Sequence, residues 1–238
     1  RVFSSSAVLN GRIYVIGGGP YTASTFVYDP ATNTWDRRAD SLNGGTYEGG
    51  AVSWNGRVYI AYDGGFSRAG RVYDPATDTW ETETTYPEPT RRRGVTMVVA
   101  NGKMYLIGGT DASLQAIATV DEYDFNTKTW RTRAPMLTAR GFTVAATFQD
   151  RFIYVAGGLD NANSNYALRA LEVFDTVTNS WTQRPSMSTA RFGAMGGFIS
   201  GRFYVVGGYG THTELLNGVE EFDTDAQGWT QRSSIGLA

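Results

Sequence analysis

The sequence predicts an all-β fold assembled from five tandem repeats, and three recurring features carry that prediction. Glycine pairs return at Gly17-Gly18, Gly64-Gly65, Gly108-Gly109, Gly157-Gly158 and Gly207-Gly208. Each is preceded by a short apolar run whose second residue is a tyrosine: Tyr14, Tyr59, Tyr105, Tyr154 and Tyr204. Further on comes an aromatic–Asp pair with a tryptophan six residues after the Asp, at Asp29/Trp35, Asp74/Trp80, Asp124/Trp130, Asp175/Trp181 and Asp223/Trp229. Successive tryptophans lie 45, 50, 51 and 48 residues apart. Self-similarity at such a period is the mark of a repeat architecture, in which each unit buries its faces only against its neighbours.

A unit of about fifty residues with one Gly-Gly and one Trp resembles the Kelch repeat, which forms one four-stranded blade of a β-propeller. The resemblance covers nearly the whole chain and implies a single propeller with blades at about 1–44, 45–90, 91–138, 139–189 and 190–238. Family members usually have six or seven blades. The preferred reading here is a five-bladed ring, with a fragment of a larger ring as the alternative. The segment 230–238 leads into Arg1 as 182–190 leads into Arg191, so no strand exchange between the termini is visible.

Within a unit, the first strand runs through small and apolar residues such as Ser6-Ala7-Val8-Leu9. Asn10-Gly11 then reverses the chain, because a two-residue hairpin turn needs positive φ at both central positions. Asn55-Gly56, Asn101-Gly102 and Ser200-Gly201 repeat the device, while Gln149-Asp150-Arg151 promises a looser turn. The second strand is the continuous apolar run, expected to be buried on both faces. The third ends at the aromatic–Asp pair, whose carboxylate suits the capping of a turn. The fourth starts at the tryptophan, expected between neighbouring sheets, where such a ring can bury about 150–250 Å².

Composition excludes several classes. The 238 residues carry a net charge of −2 and a pI near 5.5, which leaves no general basic surface for nucleic acid. No apolar run approaches the roughly 18–20 residues that cross a bilayer. With no cysteine there is neither a disulfide framework nor a thiolate nucleophile or ligand. That absence suits an exported and a cytosolic domain equally. The chain begins at Arg1 without an initiator Met or signal peptide, which reads as a trimmed domain with no cellular address.

Alternating strand direction sorts the connections onto two ends of a blade. Turns between strands one and two, and three and four, are short and regular. The links between strands two and three, and from strand four to the next blade, vary. From the second glycine of each pair to the Asp the chain runs 11, 9, 15, 17 and 15 residues. Variable loops on a rigid scaffold are where recognition concentrates, so the irregular end is the expected functional face.

That face carries an arginine just before the first strand: Arg1, Arg92, Arg140 and Arg191, with Tyr47 in the second blade's Thr46-Tyr47-Glu48. In the Kelch domains of ubiquitin-ligase adaptors, arginines at this place line the central pocket and receive acidic peptides. The resemblance therefore implies ligand contact for Arg92, Arg140, Arg191 and Arg1. The competing reading is structural: each arginine pairs with a neighbouring blade's carboxylate or covers a tryptophan. The longer loops add Tyr166, Tyr209 and His212 to the expected ligand contacts; Tyr21 and Phe66 are rim candidates. The repeated aspartates are one per blade at the regular turns, so capping explains them better than catalysis, and a lone histidine has no triad or metal-ligand spacing.

The expected function is a non-catalytic interaction module for a protein or peptide, with an acidic segment or a glycan among the options, working as a monomeric ring. No catalytic residue, metal or cofactor is expected. A sugar mutarotase resembling the bacterial sialic-acid epimerases is an alternative, with Glu48, Glu214 and His212 as proton carriers. Galactose-oxidase-like copper chemistry needs two histidines and a cysteine and is excluded. An iron cluster like that of plant nitrile-specifier proteins has no clear match. A structural or assembly role is the third reading.

Overall fold

A computed structural model describes residues 4–19, 22–41, 48–61, 69–87, 92–160, 166–211 and 214–236. Arg1, Tyr47 and His212, with the rim candidates Tyr21 and Phe66, lie outside the described residues. The described chain is all β: five four-stranded antiparallel sheets form the blades of a propeller, each with its strands in sequence order.

Blade 1 holds β1 (Ser5–Leu9), β2 (Arg12–Ile16), β3 (Thr25–Asp29) and β4 (Thr34–Arg38); blade 2 holds β5 (Gly50–Trp54), β6 (Arg57–Ala61), β7 (Ala69–Asp74) and β8 (Thr79–Pro87). Blade 3 holds β9 (Thr96–Ala100), β10 (Lys103–Ile107), β11 (Val120–Asp124) and β12 (Thr129–Arg133). Blade 4 holds β13 (Val144–Phe148), β14 (Phe152–Ala156), β17 (Leu171–Asp175) and β18 (Ser180–Arg184), with β15 (Leu159–Asp160) and β16 (Tyr166–Ala167) forming a small hairpin in its long loop. Blade 5 holds β19 (Met195–Ile199), β20 (Arg202–Val206), β21 (Val219–Asp223) and β22 (Gly228–Arg232).

Local chemistry sets these boundaries. Asn10 and Gly11 take φ of 51° and 75°, so Leu9 pairs directly with Arg12. In blade 4 three residues separate the paired Phe148 and Phe152, the looser turn that Gln149-Asp150-Arg151 announced. At the other regular turn, Asp29, Asp74, Asp124, Asp175 and Asp223 each accept the N–H two residues on. Each also pairs with a cation at the start of the second strand, Arg12, Arg57, Lys103 or Arg202, or just before it, Arg151. The backbone N–H of Ala31 and the Arg12 guanidinium hold the Asp29 carboxyl below the usual carboxylate range. These aspartates shape turns.

The core lies between blades. One apolar cluster joins blades 1 and 2 around Tyr14, Ile16, Val58, Ile60 and Tyr73, and a second joins blades 2 and 3 around Val72, Met97 and Met104. A third joins blades 3 and 4 around Tyr105, Ile107, Val155 and Phe174, and a fourth joins blades 4 and 5 around Tyr154, Val173, Phe203 and Phe222. Trp80, Trp130, Trp181 and Trp229 lie at these interfaces, and the indoles of Trp80, Trp181 and Trp229 donate to the carbonyls of Ala39, Ala134 and Pro185 in the preceding blade, at 2.9, 2.8 and 2.7 Å, whereas Trp35 in blade 1 is exposed. Among the described residues no such cluster joins blade 5 to blade 1.

Candidate functional site: the channel mouth

The innermost strands β1, β5, β9, β13 and β19 surround a channel of about 660 Å³. The residues just before these strands build its mouth, and main-chain hydrogen bonds hold them in a belt. Gly94 N–H donates to Glu48 O at 2.9 Å, Phe142 N–H to Gly94 O at 2.7 Å, and Gly193 N–H to Phe142 O at 2.9 Å. Glu48, Gly94, Phe142 and Gly193 all occupy the left-handed region, at φ of 59°, 62°, 54° and 58°. This conformation is costly for residues with a Cβ. Phe142 keeps it with both its N–H and its carbonyl bonded in the belt, and Glu48 is held through its carbonyl.

The glycine pairs lock the loops beside that belt. Gly109 and Gly158 donate to the carbonyls of Arg140 and Arg191 in the next blade, at 3.0 and 2.9 Å. A Cβ on Gly157, at φ 64°, would stand 2.4 Å from the Arg191 carbonyl oxygen. Glycine is needed there for both its dihedral freedom and its lack of bulk.

Arg92, Arg140 and Arg191 are not among the residues that line the mouth. Arg92 pairs with Asp121 at 2.6 Å, Arg140 with Glu172 at 3.2 Å and Arg191 with Glu220 at 2.8 Å, and all six side chains are at most 1% exposed. Arg191 also donates to the carbonyls of Gly207 and Gly218 at 2.8 and 3.0 Å, and Arg92 makes the matching bond to Thr119 at 3.0 Å. Glu172 accepts Leu137 N–H at 2.9 Å, while Glu220 accepts Ser188 N–H at 2.7 Å and Thr189 N–H at 3.1 Å. Burial lowers the Arg140 pKa and Glu172 opposes that shift. In this geometry Arg92, Arg140 and Arg191, expected from the sequence as ligand contacts, each face a carboxylate of their own blade. A charge taken out of water is held by a fixed partner, and a guanidinium sealed against its own carboxylate has no face to offer.

The carboxylate partners were not read from the sequence, although a signal was present. An acid takes the second place of the third strand at Asp121, Glu172 and Glu220, in the same three blades that have the described arginines. Blade 2 has no such arginine and places Arg71, also buried, at the acid's position.

Aromatic rings and main chain face the mouth instead. Tyr209 stacks on Phe192 with centroids 5.6 Å apart, and Phe192 meets Phe142 edge-on at 6.4 Å. Phe142 and Tyr209 line the channel together with Ser4, Gly94, Thr143, Ala194 and the small residues of the inner strands. Tyr209 therefore belongs to the mouth, while Tyr166 projects from the β15–β16 hairpin and is not among the lining residues. Glu48 is the one charged residue among the described lining residues, 3.6 Å from Arg93. Burial pushes the Glu48 carboxyl up, against the opposing pull of Arg93. Glu214 is exposed on a loop closed by the Gly210 N–H to Glu214 O bond at 2.9 Å. Arg92, Arg140 and Arg191, the anchors that the mutarotase reading gave a sugar carboxylate, are paired within their blades.

The chain is 38% identical over 117 residues to the F-box/kelch-repeat protein At2g44130 of Arabidopsis thaliana, covering 48% of this chain and 28% of that protein. It is 28% identical over 233 residues to beta-scruin of Limulus polyphemus, covering 89% of this chain and 25% of beta-scruin. Kelch-like protein 40 of Xenopus tropicalis is 26% identical over 125 residues, covering 52% of this chain and 20% of that protein. The chain thus spans about a quarter of the length of these relatives. The Kelch motif matches residues 1–41. The KLHDC2/KLHL20/DRC7 Kelch-repeats domain matches residues 45–238, and the chain belongs to this Kelch-repeat family.

Proposed function

We propose that this propeller is a non-catalytic interaction module that takes a protein or peptide segment into the channel mouth. Kelch-repeat proteins generally act as protein-interaction modules, and that general role is the starting point. The observation that carries the reading is the shelf of Tyr209, Phe192 and Phe142 beside a wide, belt-stiffened channel. Rigid aromatic anchors offer large contact area at small entropic cost. With the arginines neutralised, the shelf suits an apolar or aromatic turn, and Glu48 suits a basic or hydrogen-bond-donating group on the same segment.

A random peptide library selected on the immobilised chain tests this. Enriched peptides are expected to be aromatic and neutral or basic, and to protect the amides of residues 92–95, 141–143 and 192–194 from exchange. Tyr209→Ala is expected to weaken them by roughly tenfold or more without lowering the melting temperature. Enrichment of acidic peptides, or unchanged binding to the variant, would overturn the reading.

A further inference from the structure

Among the described residues that line the channel, Glu48 carries the only charge, and its carboxylate lacks a donor. Arg93 stands 3.6 Å away, too far for a hydrogen bond, and the Glu48 side chain keeps only 12% exposure. Oε2 is enclosed on the side of that guanidinium without a hydrogen bond, and the Arg93 Nε is enclosed without one as well. Oε1 is not enclosed and meets no donor among the described residues, so the carboxylate offers the channel an open acceptor. The sealed pairs behave otherwise: Arg92 and Arg191 donate to Asp121 and Glu220 at 2.6 and 2.8 Å. A carboxylate held largely out of water without such a bond is short of a partner.

The backbone singles out the same residue. Glu48 holds a belt position that Gly94 and Gly193 fill without steric penalty, at φ of 59° against 62° and 58°. A left-handed glutamate is strained, and such strain collects at sites that use the residue. Gly94 is the single step between Glu48 and Phe142 along the belt. A Cβ on Gly94 would stand 2.6 Å from Phe142 Cε2, so the Phe142 ring lies over that step. The aromatic surface continues from there through Phe192 to Tyr209. Near Glu48 the channel is otherwise neutral. Ala51, Val95 and Met97 are apolar, and the hydroxyls of Thr96 and Thr143 are bonded to each other at 2.7 Å.

We infer that the mouth reads an arginine side chain of the bound peptide and that Glu48 determines this choice; the inference rests on the peptide-binding reading above. The incoming guanidinium donates to Glu48 Oε1, and its stem lies on the Phe142 ring across Gly94. Three features select it. A permanent cation with several N–H groups supplies the donor that the carboxylate lacks. A guanidinium is weakly hydrated and stacks on aromatic faces, so it enters a neutral, ring-lined channel at lower cost than an ammonium. A carboxylate also has two oxygens to share, Oε2 on the side of Arg93 and Oε1 on the side of the channel. An acidic side chain in the same place would meet Glu48 as a like charge.

A synthetic library of short peptides that offers arginine, citrulline and lysine in equal amounts at every position, panned on the immobilised chain, tests this. Citrulline keeps the shape of arginine and carries no charge. Peptides whose binding falls on Tyr209→Ala are the mouth ligands. Among them arginine is expected to be enriched over citrulline by roughly tenfold or more, and over lysine by a smaller factor. Glu48→Gln removes the charge and keeps the side chain's shape. It is expected to melt no lower than the parent near neutrality, so a change in binding is not a loss of fold. On that variant the arginine and citrulline forms of one mouth ligand should bind alike, while the dependence on Tyr209 remains. Mouth ligands indifferent to arginine against citrulline would refute the inference and leave the peptide-binding reading standing. An undiminished arginine preference on Glu48→Gln, or a preference for lysine on the parent, would refute it in the same way. A library with no ligand that depends on Tyr209 would remove the peptide-binding reading, and the inference with it.

Discussion

The Arg191 guanidinium lies 2.8 Å from the Glu220 carboxylate, and each side chain retains 1% exposure. The pair ties the entry of blade 5 to its third strand, and Glu220 in turn holds the N–H groups of Ser188 and Thr189. Closed to water on both sides, the pair acts as a rivet within the blade.

Breaking it is therefore expected to be costly. Glu220→Leu, which strands a buried cation, should destabilise the fold by about 3–5 kcal/mol. The double variant Arg191→Met/Glu220→Leu should recover most of that loss, since matched apolar replacements remove both charges together. Urea unfolding of the single and double variants checks both statements. A Glu220→Leu protein as stable as the parent would show that the pair is not structural.

Two tryptophans at one repeat position should differ sharply. Trp80 is buried against Tyr73 at 5.1 Å and donates to Ala39 O, so Trp80→Ala should cost about 3–5 kcal/mol. Trp35 is largely exposed, so Trp35→Ala should cost about 1 kcal/mol or less in the same chain. Equal losses by thermal or urea unfolding would contradict the open edge of blade 1.

Two glycines at positive φ separate dihedral strain from crowding. No atom lies within 4 Å of a Cβ built on Gly11, so Gly11→Ala should cost only the left-handed conformation, about 1–2 kcal/mol. Gly157→Ala adds a clash with the Arg191 carbonyl and should cost about 2–5 kcal/mol, measured by urea unfolding.

Two carboxylates should give stability profiles of opposite sign. Hydrogen bonds from Arg232 and Tyr204, with Arg202 beside them, hold Glu221 down to about 2 from an ordinary 4.5, against the effect of burial. Its stabilising contribution is complete above pH 4.5 and is lost as pH falls toward 2. Glu221→Gln should therefore flatten the fall in melting temperature across that window. Burial raises Glu48, so its contribution is present at low pH and lost as pH rises through its folded value. Glu48→Gln should gain stability over the parent near neutrality and lose that gain in acid, as thermal melts at several pH values would show.

Much of the fold was legible because its causes are local. Asn-Gly turns, the glycine pairs and the aspartates that accept N–H groups two residues on act within a few positions of the chain. The mouth was legible only in part. Tyr209 came from the composition of its loop and Glu48 from its place just before a first strand, while Phe142 carries no sequence mark of the left-handed belt that places it at the channel.

By itself the sequence determined the repeat, the strand pattern, the regular turns and the interfaces that bury aromatic residues, since each follows from a short-range spacing. Only the tertiary structure decided where the arginines point, because Arg92 and Arg191 find Asp121 and Glu220 at a separation of 29 residues. The unmatched faces of blades 1 and 5 were likewise decided there. Every blade carries the same apolar pattern, and whether a given face is covered depends on the neighbour beside it.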